Sequence, residues 1–161
     1  MIAAELEQES KSTRKMLERV PAEKLAWKPH DKSMSLMQLA VHVSEIPSWT
    51  GPTMNSPELD FATFDYSPPT VTSADELVAM FDKNVADALE ALRNAPDAAF
   101  GDSWTMRNGE TVYFTMPKAA VMRGFVMSHF IHHRGQLSVY LRLLDVPIPS
   151  IYGPSADEGQ M

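Results

Sequence analysis

The chain has 161 residues, 44% of them hydrophobic and 22% charged, which suits one globular domain with a single core and excludes a disordered chain. Its net charge of −7 argues against nucleic-acid binding, and no apolar run approaches the ~20 residues that cross a bilayer. No cysteine is present, so disulfides, thiolate metal sites and a cysteine nucleophile are excluded, and any metal must be held by histidine, carboxylate or water.

The first twenty residues are charged and amphipathic, without the apolar stretch of a signal peptide, which places the protein in the cytoplasm. Leu6, Met16, Leu17 and Val20 predict a first helix over residues 2–19, ended by Pro21. Residues 21–31 form a connector in which His30, beside Pro29, is a surface residue. Ser33 or Ser35 caps a second helix that runs to about Ile46, where Pro47 ends or kinks it. On its apolar stripe Leu39, His42, Ile46 and Trp49 follow one another at 3–4 spacing. Glu45, one turn after His42, points to the same side and is a candidate ligand, ligand partner or general base.

A proline-rich connection from Trp49 to Thr72 follows, long enough to return the chain along a bundle between two parallel helices. Ser73 caps a third helix with Asp75 and Glu76 in its first turn; Leu77, Phe81, Val85, Ala88 and Leu92 line one face, and Pro96 follows its end. Residues 103–116 change to a β period around Asn108-Gly109, which predicts a hairpin with a type I′ turn. Pro117 opens the first turn of a fourth helix that runs to about Asp145.

Met122, Val126, His129, His133, Leu137, Tyr140 and Leu144 give this last helix a core-facing stripe, with His132 on its flank. His129 and His133 are one turn apart, ~6 Å, a spacing by which one helix offers two ligands to one metal ion. His42 is the remaining histidine on a core-facing stripe, so a three-histidine metal site and a hydrogen-bonded histidine cluster both fit the pattern. His-Glu-x-x-His, a second Glu–His pair of the di-iron type and a Gly-rich phosphate loop are all absent from the sequence.

The segments Trp27-Lys28-Pro29-His30, Ser33-Met34-Ser35-Leu36 with His42, and His129-Phe130-Ile131-His132-His133-Arg134-Gly135-Gln136-Leu137 resemble the DinB/YfiT-like superfamily of metal-dependent proteins. So does the tail, Pro147-Ile148-Pro149 and Ile151-Tyr152-Gly153-Pro154, and the likeness covers nearly the whole chain as one domain, 1–161. The resemblance implies an all-α fold, a four-helix bundle of up-down-down-up topology with a long crossover between helices two and three and the small β-hairpin between helices three and four. It implies one divalent metal ion, zinc or nickel, on His42, His129 and His133, and a homodimer. It also implies a metal-dependent enzyme acting on a small molecule, by S-transfer from a low-molecular-weight thiol or by hydrolysis, with Glu45 the candidate for proton transfer. The alternative is a non-catalytic metal- or ligand-binding bundle protein. Nucleic-acid and membrane partners are not expected. Arg134 is expected in a structural ion pair and Gln136 in a helix–helix hydrogen bond.

Overall fold

The structure, a computed structural model, describes residues 1–159; residues 160 and 161 of the expected 1–161 domain lie outside the described residues. The chain is mostly helical, with four principal helices and a small three-stranded sheet. α1 (Ile2–Leu17) buries Leu6, Met16 and Leu17 completely. α2 (Leu36–Glu45) begins at Ser35, whose Oγ accepts from the Gln38 amide at 3.1 Å while Gln38 Oε1 accepts from the Ser35 amide at 2.8 Å. This reciprocal pair satisfies two of the amides a helix start leaves without partners and decides the cap in favour of Ser35 over Ser33.

Pro47 does not stop the chain's helical course. It sits in the first turn of a 3₁₀ segment, Ile46–Trp49, that leads directly into α3 (Thr50–Asn55). Proline cannot donate to the carbonyl four residues back, so the coil tightens and carries on. The long connection therefore has structure of its own. After α3 comes β1 (Glu58–Asp60), and residues 61–73 then lead to α4 (Ala74–Asn94). Ser73 Oγ accepts from the Glu76 amide at 3.2 Å, and Leu77, Phe81, Ala88 and Leu92 turn inward as their spacing predicts.

The expected hairpin is part of a larger sheet. β2 (Ser103–Asn108) pairs antiparallel with β3 (Thr111–Pro117), and β1 adds to its other side in parallel, Glu58 opposite Thr105 and Asp60 opposite Arg107. The type I′ expectation also fails. The two central residues of the turn are Gly109 and Glu110, and only Gly109 has a positive φ, 57°. A positive φ at the first central position alone is the pattern of a type II′ turn. Trp104, Met106, Leu59 and Val121 make a small second core beneath the sheet. Lys118 Nζ, buried, donates to the Met54 carbonyl at 2.7 Å and ties α3 to the start of the last helix.

Pro117 ends β3 rather than opening the helix. The helix then runs as α5 (Lys118–Val121), a π-helical stretch Met122–Ser128 and α6 (His129–Leu143). The π stretch overturns the expected stripe. Wide i→i+5 turns change the phase, and downstream the core receives Phe130, Arg134, Leu137 and Leu141 in place of His129 and His133. The main core unites α1, α2, α4 and this helix, with Phe81 and Phe130 stacked at 5.9 Å. Among the described residues no helix is long and apolar enough to cross a membrane.

Arg134 occupies a core position as an ion. Its guanidinium meets Glu9 Oε2 at 2.6 Å, donates to the Glu9 carbonyl at 3.1 Å and to Ser12 Oγ at 2.9 Å, and reaches the Tyr152 hydroxyl oxygen at 2.7 Å. The ion pair expected for Arg134 is thus present, and it joins α1, α6 and the C-terminal segment. Removing one partner of a buried ion pair strands the other charge away from water. Arg134→Ala is therefore expected to lower stability by about 3 kcal/mol. Urea unfolding monitored by far-UV circular dichroism measures this, and a loss below ~1 kcal/mol would show the network to be incidental.

Candidate metal centre

The three histidines singled out in the sequence are brought together. α2 supplies His42, and one turn of α6 supplies His129 and His133. Their ring centroids are 5.0 Å apart for His42–His129, 4.5 Å for His42–His133 and 4.6 Å for His129–His133. One ligand atom from each can be chosen so that all three lie within 4.8 Å of one another. His42 Nε2 and His129 Nε2 are 3.2 Å apart. All three rings are half-buried rather than sealed in the core, because the phase of α6 turns them to the margin between helices.

His133 has a fixed orientation. Its Nδ1 donates to Gln136 Oε1 at 2.7 Å, one helical turn on, which leaves Nε2 with the lone pair. Gln136 was expected to bond across to another helix; instead it serves its own, because positions three apart are neighbours on a helix surface. His132 is exposed and only flanks the group, its ring 4.8 Å from His133. His30 is exposed in its turn, with Nδ1 accepting from the Lys32 amide at 3.1 Å, as the sequence predicts.

The electrostatics favour uncharged rings. Burial, and then the neighbouring His133 and His129, push His42 down to about 4. His129 and His133 are also lowered, chiefly by burial; the Phe125 backbone opposes this for His129 and the Gln136 hydrogen bond opposes it for His133. Near neutral pH the site therefore presents neutral imidazoles, the form that ligates metals.

Glu45 lies on the same side of α2 as His42, and Oε2 accepts a hydrogen bond of 2.6 Å from the Tyr66 hydroxyl. Burial and this carboxylate raise Tyr66 to about 12, so it stays protonated and donates. Glu45, His42 and His129 all line a cavity of about 540 Å³. Its remaining walls include Trp49, Phe61, Phe64 and Phe125. The sequence reading did not single out Phe61, Phe64, Tyr66 or Phe125 as site residues. Three aromatics within six positions of a proline-rich connection were the available signal.

Residues 1–160 match the family model described as the DinB family. The Bacillus subtilis (strain 168) protein YrdA, itself uncharacterized, is 29% identical over 158 residues, covering 93% of this chain and 85% of its own length. Two crystal structures share the fold. A DinB-like protein from Bacillus subtilis superposes with a TM-score of 0.72 at 16% identity, covering 93% of this chain and 96% of its own. A DinB-like protein from Bacillus cereus ATCC 10987 gives 0.70 at 24% identity, covering 94% and 95%.

A ring whose folded pKa lies below its unfolded value favours the folded state above the unfolded pKa, and that contribution is lost as pH falls through the folded one. The metal-free protein is thus expected to lose stability as pH drops from ~6.5 towards 4, with His42 the main contributor. Urea midpoints across this range should fall for the native chain and fall less steeply for His42→Asn; equal slopes would refute the assignment.

Proposed function

The chain belongs to the DinB family, and on that premise we propose that it is a metal-dependent enzyme acting on a small organic molecule, with His42, His129 and His133 holding one divalent ion. The observation that carries the proposal is the convergence of three neutral imidazoles, with ligand atoms within 4.8 Å of one another, two of which, His42 and His129, line a cavity large enough for a substrate. Three nitrogen donors and an open side suit zinc or nickel. When bound, such an ion supplies Lewis acidity, which makes a water or a thiol a nucleophile near neutral pH.

The chain's own residues supply the rest. Gln136 holds His133 in the tautomer whose Nε2 faces the site. Glu45 accepts the proton released by the nucleophile, and Tyr66 holds that carboxylate by its 2.6 Å hydrogen bond. The aromatic walls exclude water from one side of the cavity. Since the chain has no cysteine, a thiol nucleophile is a low-molecular-weight cosubstrate, giving S-transfer; water in its place gives hydrolysis.

The same reading takes the chain as one domain acting as a cytoplasmic homodimer without nucleic-acid or membrane partners, which the net charge of −7 supports. It includes the up-down-down-up order. Glu7–Arg93 and Arg14–Asp82 support an antiparallel α1 and α4, Glu5–Arg123 and Glu9–Arg134 a parallel α1 and α6, and His42–His129 with Met34–Tyr140 an antiparallel α2 and α6.

Protein purified without a nickel column is expected to carry about one metal ion per chain by mass spectrometry, and His129→Ala to carry none. Gln136→Ala should keep the site but weaken metal affinity about 10–100-fold. Stoichiometric metal in His129→Ala would disprove the ligand set. With a panel of thiols and electrophiles, Glu45→Gln should slow metal-dependent conjugation by at least about 10²-fold. Absence of metal-dependent turnover with thiols and with hydrolysable esters would favour the non-catalytic alternative.

A further inference from the structure

The cavity in front of the histidines has walls that a metal site alone does not require. Trp49 stands edge-on to Phe125 with centroids 5.4 Å apart, and lies 6.1 Å from Phe64 and 6.4 Å from Phe61. Phe64 stacks on Tyr66 at 6.1 Å with the rings 9° from parallel. At the inner end, Phe125 is 5.7 Å from the His129 ring. The rings thus form one connected surface from the solvent edge to a candidate metal ligand.

That surface is incompletely covered by the protein itself. Phe61, Phe64 and Tyr66 are 38%, 40% and 51% exposed, although a contiguous exposed apolar patch is unfavourable in water and marks a binding surface. Other exposed apolar residues, such as Val139 and Leu143 on α6, do not line this cavity.

Glu45 is the one acidic side chain among the residues that line the cavity. No lysine or arginine is among the residues lining the cavity, so an organic anion finds no side-chain counter-ion there. The lone acid, Glu45, is engaged by Tyr66. These two residues and His42 also border a neighbouring recess of about 270 Å³, so the Glu45–Tyr66 bond is the partition that closes the aromatic chamber on that side. The volume of about 540 Å³ suits a molecule of one or two fused rings.

We propose that the chamber binds an aromatic small molecule, with its rings against Trp49, Phe64 and Phe125 and its one polar group directed to His42 and His129. The orientation of the polar group rests on the metal-centre reading, whereas the binding of the rings rests on the walls alone. In the proposed reaction this molecule is the organic reactant.

Calorimetric titration of the full-length, metal-loaded protein at pH 7 with 2-naphthol and its saturated analogue decahydro-2-naphthol tests this directly. The aromatic 2-naphthol is expected to bind about tenfold more tightly than the saturated alcohol. Phe61→Ala and Phe64→Ala, both at exposed positions, should each weaken 2-naphthol by about tenfold, whereas Val139→Ala, away from the cavity, should leave it unchanged. No binding of 2-naphthol, affinity unchanged from the native protein in both phenylalanine variants, or equal or tighter binding of the saturated alcohol would overturn the proposal. Repeating the titration on protein as purified without a nickel column, with its metal content measured, separates the two readings. Phenylalanine-dependent binding in protein purified without bound metal would retain the chamber and reject the metal centre. One metal per chain with no such binding would do the reverse.

Discussion

The phase of the last helix is the constraint on which both core and site depend. Each turn of α6 offers about one position to the core, and Phe130, Arg134, Leu137 and Leu141 take those positions. His129 and His133 immediately precede two of these residues. They turn about 100° from the core and face α2, where His42 meets them. The π-helical residues Met122–Ser128 bring about this division, since their wide turns shift everything downstream relative to Met122 and Val126. A regular α-helix from Met122 would have placed the imidazoles in the apolar interior, where their polar nitrogens would be costly to bury.

Arg134 adds a second constraint on the same helix. Its ion pair with Glu9, its contact with the Tyr152 hydroxyl and the position of its guanidinium 5.2 Å from the centre of the Tyr152 ring fix where α6 lies along α1. A buried ion pair contributes little net stability compared with apolar packing, but few arrangements satisfy all its hydrogen bonds. Sliding α6 by one turn would break this network and also separate His129 and His133 from His42. The residue next to His133 therefore acts on the histidine cluster through helix position rather than through contact.

Much of this was legible in local sequence. The stripe on α4, the Ser73 cap, a cap at Ser33 or Ser35 and the pairing of His129 with His133 follow from spacings within one or two helical turns, whereas His42 joined them as the remaining histidine on a core-facing stripe and through the family resemblance. The features that were not legible depend on distant partners or on unusual backbone. Glu58–Asp60 carries no local mark of a parallel strand, because what makes it one is β2, on the far side of α4. A π stretch has no residue signature comparable to a cap, so the expected stripe ran straight through it. The ion pair expected for Arg134 had no partner legible in the sequence, because Glu9 lies in the first helix. The aromatic walls were hidden for the same reason: Phe61, Phe64 and Tyr66 have no periodicity, and only the strand pairing at β1 shows which way their segment runs.

That strand pairing also bears on the order in which the molecule is assembled. β1 cannot pair until the whole of α4 and then β2 have been synthesised, and His129 and His133 follow later still. Contacts between segments this distant in the chain are slow to form, because loop-closure entropy is spent before they contribute any stability. An N-terminal fragment that stops after α4 could bury much of its helical surface and yet contain His42 alone, facing a loop with no sheet to anchor it. Recognition surface and histidine cluster are thus joined only in the completed chain, so nascent or truncated protein lacks the assembled centre.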